Sequence, residues 1–283
     1  MFNKPALQFQ GVAAGSIATL RIPTEEFTLV GVKLKCGGTT FDNTYITRVR
    51  VKVGPRVIWD VTGAQLNAIN AYKNGQATPA YMLIDFTERD QAIFPFKEIG
   101  GLDLLTLAQI GEVYLEVYIA ATAVAPTLSA QNYFEQSQKN PFVLKYLPFS
   151  FTQTAAGKFT LPLSLRGALI KRIWNFYTGT NWTAALDGNL YRLECKKNGL
   201  VFFDQNGLDA RFDQGQFKKV PQANLFVGDF LVDNNHDAHI KTIRKASDGS
   251  AIYDAFEFNA FLSDAAGATV NVLVEVLDTV TNL

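Results

Sequence analysis

The second half of this chain repeats the plan of the first at an offset of 144 positions. Asp60 meets Asp204, Gly63 meets Gly207, Lys52 meets Lys196, Val57 meets Val201, and Asp85-Phe86 meets Asp229-Phe230 without a gap. In each copy two strand-like runs flank a tight turn, Gly54-Pro55 or Asn198-Gly199, an aromatic residue precedes Asp, and a Gly opens a helix. The strand signal is the alternation of Val49, Val51 and Val53 with Arg50 and Lys52. The helix signal is the capping box of Thr62 and Gln65, followed by Leu66, Ile69 and Tyr72 three apart. With small gaps the agreement reaches outward. It pairs Ala18–Pro23 with Phe159–Leu163, Leu29–Leu34 with Leu169–Trp174, and Val113–Val117 with Val272–Val276.

A repeat this long is far beyond solenoid periods, so each copy should be a complete domain. Each reads as about eight strands with one helix inserted after roughly the fourth, and eight-stranded double sheets of this kind are jelly rolls. The expected fold is therefore all-β: two tandem eight-stranded jelly-roll β-sandwiches (a double jelly roll), each with a short inserted helix. Residues 1–125 form the first domain, 126–146 a polar, Pro-bounded linker, and 147–283 the second domain. Aromatic residues at 12%, with 22 Phe, agree with mostly β structure.

Lys+Arg and Asp+Glu both number 26. A surface that binds the phosphate backbone needs a basic excess, so no direct nucleic-acid partner is expected. Cys36 and Cys195 are too few for a disulfide scaffold and read as reduced, inert core residues. MFNKPALQFQ lacks the apolar run of a signal peptide, and Val113–Ala125 is too short to span a bilayer. The chain is expected to be soluble and made in the cytoplasm.

Double β-sandwiches also occur as enzymes, chiefly bicupins, whose metal needs several His and a Glu in each barrel. Here His236 and His239 share one hydrophilic loop with no counterpart in the first copy. No nucleophile elbow, Cys-x-x-Cys pair or phosphate-cradling loop appears, so neither catalytic nor cofactor-binding residues are assigned and no enzyme is expected. The same loop presents Asp233, Asn235 and Asp237 at alternate positions, an oxygen set suited to calcium. It departs from an EF-hand at Ala238, where a Gly is needed, and at Arg244, where a bidentate Glu is needed; the plainer reading is a solvated turn. Calcium is the one cofactor suggested, and none is required. Phe2, Leu7 and Phe9 suit either insertion into a neighbour or membrane, or a frayed terminus. Tyr177–Trp182 reads as an exposed aromatic loop whose Trp182 either stacks on a sugar or packs in a core or interface.

ATLRIP, GGTTFDNTYITRVRVKVGPRVIWDVTGAQLNAINAY and YMLIDFTERD together resemble the N-terminal domain of the corticovirus-type major capsid protein. This is the double jelly-roll coat of icosahedral bacteriophages with an internal membrane. Residues 15–125 carry the resemblance, Ile46–Tyr72 most specifically, and the C-terminal half joins only through the repeat. The resemblance implies a virion coat subunit, assembled in the host cytoplasm, that forms homotrimers of pseudo-hexagonal outline. It implies as partners the chain itself, neighbouring capsomers, other capsid or membrane proteins, and peripherally the internal membrane. It also implies calcium-dependent particles. The competing reading is a carbohydrate- or receptor-binding sandwich such as a phage spike.

Overall fold

A computed structural model describes residues 1–73, 75, 78–88, 99–136, 141–153, 155–161, 163, 165, 168–178, 186–233, 240–263 and 269–283. It divides into a first unit, Met1–Tyr146 with Leu277–Leu283, and a second unit, Leu147–Val276. The first strands are β1 (Phe2–Pro5), β2 (Ile17–Ile22), β3 (Phe27–Gly37), β4 (Ile46–Val53) and β5 (Arg56–Thr62). Helix α1 (Gly63–Tyr72) follows, then β6 (Tyr81–Asp85), β7 (Leu102–Asp103), the single turn α2 (Leu104–Leu107), β8 (Val113–Ile119) and β9 (Thr127–Gln136). The second run is β10 (Phe142–Thr152), β11 (Gly157–Leu161), β12 (Leu169–Tyr177), β13 (Leu190–Lys197), β14 (Leu200–Asn206), α3 (Gly207–Gln216) and β15 (Leu225–Asp229). It ends with β16 (Ile240–Lys241), β17 (Ile243–Lys245), β18 (Ala251–Tyr253), β19 (Phe256–Leu262) and β20 (Thr269–Thr279).

In the first unit one sheet runs β1–β9–β3–β6, with β7 also on β3, and the other runs β2–β8–β4–β5. In the second the orders are β10–β20–β12–β15, with β16 on β12, and β11–β19–β13–β14. Apart from the β4–β5 and β13–β14 hairpins and the short β7 and β16, successive strands cross between the two sheets in the same interleaved order, which is the double-sheet jelly roll. Strand β4 shows the pleat at work: Val49, Val51 and Val53 are buried while Arg50 and Lys52 stay half-exposed on the opposite face.

The 144-residue offset carries β4, β5, α1 and β6 onto β13, β14, α3 and β15 with identical lengths. The helix follows the fifth strand of its copy rather than the fourth. The ladders also correct two outer alignments. Val51 lies opposite Leu115 and Cys195 opposite Phe258, so β8 recurs as β19, and the Val272 run belongs to the strand that recurs from β9. Both runs alternate Val inward, and alternation alone does not say which strand of a sandwich is which. Gly31 faces Asp85 as Arg172 faces Asp229, which sets β3 against β12 one residue away from the sequence alignment.

The segment 126–146 is not a linker. It holds β9, which lies between β1 and β3, and the start of β10. It looked polar because β9 buries only Asn132 and Phe134 on its inward side. The terminus is no frayed tail either: Phe2 lies opposite Phe134 in the β1–β9 ladder and packs edge-on against Phe27, with ring centroids 4.8 Å apart. Phe9 is buried and Leu7 exposed.

Helix α1 has the expected capping box: Thr62 Oγ1 accepts from the Gln65 N–H at 3.1 Å, and Gln65 Oε1 accepts from the Thr62 N–H at 3.0 Å. Helix α3 is capped from a distance, because Asn206 makes no side-chain cap and Asp187 Oδ1 accepts from the Leu208 N–H at 2.8 Å. The Gly that opens each helix has a steric cause. A Cβ on Gly63 would run into the Ile46 carbonyl, and one on Gly207 would lie 2.5 Å from the Asp187 carbonyl. Gly63→Ala or Gly207→Ala should therefore cost at least about 2 kcal/mol of unfolding free energy. Gly215→Ala, which meets nothing within 4 Å on α3, should add about 0.4–1 kcal/mol. Urea unfolding of the three variants checks both signs.

Candidate assembly surfaces

The outward face of each β4–β5 type hairpin carries an ion pair that the repeat duplicates. In the first unit the Arg48 guanidinium donates through Nε and Nη2 to the two Asp60 oxygens, and Arg50 Nε adds a bond at 3.3 Å. In the second, Arg192 donates through Nε and Nη2 to Asp204, both at 2.6 Å. An aromatic ring on the next strand completes each set: Tyr118 lies 5.9 Å from the Arg48 guanidinium carbon and Phe261 lies 4.7 Å from that of Arg192. Arg48 and Arg192 also match at the 144 offset, but the sequence does not show that their side chains reach across strands to Asp60 and Asp204.

Other identities also acquire causes. Asp85 accepts from the Thr87 N–H at 3.2 Å and Asp229 from the Leu231 N–H at 3.0 Å, so each closes an Asx turn as its strand ends. The residue after each packs on the aromatic that precedes the hairpin Asp: Phe86 on Trp59 at 5.0 Å, and Phe230 on Phe203 at 5.5 Å.

The copies part company beneath the helix. Trp59, Leu66, Ile69 and Tyr72 are buried under or along α1, the Trp59 indole donates to the Leu144 carbonyl at 2.9 Å, and a void of about 70 Å³ remains. Phe203, Ala210, Asp213 and Gln216 hold those places along α3, and the crevice there opens to about 330 Å³. The outward side diverges in the opposite sense: Ala64 and Ala68 of α1 are replaced by the exposed Leu208 and Phe212, the latter 67% accessible.

The sheet β10–β20–β12–β15 also holds a cluster that sequence reading did not single out. Arg172 Nε bonds Asp229 at 2.9 Å, its Nη1 bonds Glu275 at 3.2 Å, the Lys171 ammonium lies 3.3 Å from Glu275, and the Trp174 indole donates to Glu275 at 3.1 Å. All five side chains are almost completely buried. The signal available was Lys171-Arg172 inside an otherwise apolar strand run.

Of the proposed calcium ligands, Asp233 is exposed after β15, while Asn235 and Asp237 lie outside the described residues, as do His236, His239 and Trp182. Tyr177 is buried at the end of β12 and is not part of an exposed loop. Cys36 and Cys195 are buried free thiols, and burial pushes the Cys36 thiol up to about 12. A buried neutral thiol of this kind is unreactive.

Interleaved four- and five-stranded sheets, repeated in tandem with a helix in each copy, define the double jelly-roll architecture. Models of the viral coat protein P2 N-terminal domain and C-terminal domain match residues 3–137 and 143–280, respectively. The chain belongs to the P2 viral coat protein family. Among solved structures it is similar to the major capsid protein P2 of bacteriophage PM2, with a TM-score of 0.79 at 15% identity over 98% of this chain and 97% of that one. A chain of the atomic structure of Sulfolobus Turreted Icosahedral Virus follows, with TM-score 0.69, 11% identity, and 99% and 91% coverage. A chain of the PBCV-1 virus capsid has TM-score 0.58, 13% identity, and 98% and 94% coverage. A search of curated proteins finds no match.

Two outcomes follow from the ion pairs. The Arg192 hydrogen bond holds the Asp204 carboxyl below its ordinary value. At Asp60 partial burial pushes upward, but the bonds from Arg48 and Arg50 outweigh it. Because both folded values are lowered, the pairs stabilise the fold above the unfolded carboxylate pKa and lose that contribution as pH falls through the folded one. Arg192→Met should move the Asp204 titration upward in a side-chain carbon NMR titration. Glu275→Gln, which leaves the buried cations short of a carboxylate, should cost about 3–5 kcal/mol in urea unfolding.

Proposed function

We propose that this chain is a major capsid subunit that assembles as a homotrimer of pseudo-hexagonal outline and tiles an icosahedral shell over an internal membrane. The observation that carries this reading is the tandem fold: each chain contributes two copies of one jelly roll. Three chains in a closed ring then present six similar sandwiches, suited to six-coordinated lattice positions, and a ring is the simplest cyclic way to bury a heterologous surface. Zero formal net charge permits close side-by-side packing without strong mutual repulsion. The exposed Leu208 and Phe212 on α3 supply apolar area of the kind that subunits cover on assembly. The membrane beneath the shell rests on the family resemblance. In this reading the role is structural rather than catalytic, and assembly takes place in the host cytoplasm.

Native mass spectrometry of protein released gently from particles should find three chains. A monomer or dimer that persists across a wide concentration range would refute the trimer. Phe212→Ser should leave unfolding of the single chain within about 0.5 kcal/mol of the parent yet weaken trimer formation by about tenfold. An unchanged trimer yield would remove α3 from the interface.

A further inference from the structure

The first unit carries a recess of about 320 Å³ on the outward face of the β1–β9–β3–β6 sheet, beside α1. Its floor is Lys33 of β3, Tyr81 and Leu83 of β6 and Tyr133 of β9; Asn67 and Asn70 of α1 form a wall. The alternation that buries Val32, Leu34, Met82, Ile84 and Phe134 inward is what turns these side chains outward.

The recess has distinct chemistry. The Lys33 ammonium lies 5.6 Å from the centre of the Tyr81 ring and 5.8 Å from that of Tyr133. Among the described residues no carboxylate pairs with Lys33 and none lines the recess. Neighbouring amides are held by their NH₂ groups: Asn70 donates to the Leu83 carbonyl at 2.8 Å, and Asn67 to Asn43 Oδ1 at 3.4 Å. Both therefore keep a carbonyl oxygen as an acceptor. A cation seeking an anion, two tyrosine rings and two amide acceptors fit one kind of molecule: a ring with an apolar C–H face, a carboxylate and several hydroxyls. The volume suits a single sugar, at the lower end of ordinary ligand sites.

The second copy shows that the fold does not require this arrangement. By ladder position Trp174 replaces Lys33 and Leu225 replaces Tyr81, and both are buried. We infer that the recess between α1 and the β3–β6–β9 face is a binding site for an acidic monosaccharide unit, such as a uronic acid of a cell-surface glycan. Lys33 would take the carboxylate, Tyr81 and Tyr133 would pack on the ring, and Asn67 and Asn70 would accept from its hydroxyls. This goes beyond the coat role and does not depend on the trimer.

The test is saturation-transfer NMR on the purified assembled protein with glucuronic acid, glucose and acetate as separate probes. Glucuronic acid should receive saturation and bind at least about tenfold more tightly than either glucose or acetate, because only it engages cation and rings together. Lys33→Gln and Tyr81→Ala should each reduce that binding about tenfold, with an unchanged urea midpoint for Lys33→Gln as the folding control. Binding no better than that of acetate would mean a plain anion contact and would overturn the proposal. So would binding unaffected by Lys33→Gln. An assembled protein that binds nothing, with Lys33 shielded from amine-reactive reagents, would assign the face to a second copy of the chain instead.

Discussion

The helix inserted after the fifth strand of each copy can start only where the residue has no side chain. The backbone on the approach to the fourth strand runs directly against it, at Ile46 in one unit and Asp187 in the other. That contact ties three things together: the end of the hairpin, the first turn of the helix, and the segment that leads into the hairpin. The contact partners are not equivalent, since Ile46 matches Leu190 at the 144 offset and Asp187 lies three residues before it. The offset stays at 144 from Ile46 to Asp85 and drifts to 141 and 143 in β3 and β8. The hairpin Arg–Asp pair and the Asx turn that ends β6 or β15 sit within the stretch of constant offset.

Within that shared frame the two copies spend their side chains differently. The first packs its helix on Trp59, Leu66, Ile69 and Tyr72 and leaves the helix exterior nearly bare, with Ala64 and Ala68. The second has smaller or polar groups underneath, ties Gln214 to the Val227 carbonyl at 2.9 Å and Gln205 to Asp213 at 2.7 Å, and places Leu208 and Phe212 outside. Apolar matter has in effect moved from beneath the helix to its exterior. Area buried beneath a helix stabilises the unit itself, whereas area on the exterior contributes only when something covers it.

Much of this was legible in the sequence because steric and capping demands act on residue type. The Thr62–Gln65 box, the glycine at each helix start and the aromatic before Asp60 and Asp204 each reflect a local requirement, and the glycine is identical in both copies. What stayed hidden depends on pairing between distant strands. The run from Val113 looked like the run from Val272 because inward Val alternation is common to every core strand, and only the ladder partner distinguishes them. Strand β9 passed for a linker because Asn132 and Phe134 alone are buried in an otherwise polar stretch. Arg48 and Arg192 were visible as residues, but their bonds to Asp60 and Asp204 run across strands.

The buried cluster around Glu275 shows what such cross-strand placement can accomplish. Among the described residues two cations and two carboxylates balance, so the group tolerates removal from water only as a complete set. Apolar packing would serve a sheet as well or better, and the ladder puts Val30 and Gly31 where Lys171 and Arg172 stand. A chain with two copies of one jelly roll faces a particular hazard: strands of one copy can seek the sheet of the other, since both bury alternating apolar residues. Seating β12 in the place of β3 would set Arg172 opposite Asp85, the counterpart of Asp229, but would carry it and Lys171 away from Glu275, and uncompensated buried charge costs several kcal/mol. The correct pairing is penalised much less, because every charge there meets its opposite. The ionic set thus separates two otherwise interchangeable strands, a discrimination that Val and Gly at the same positions do not supply.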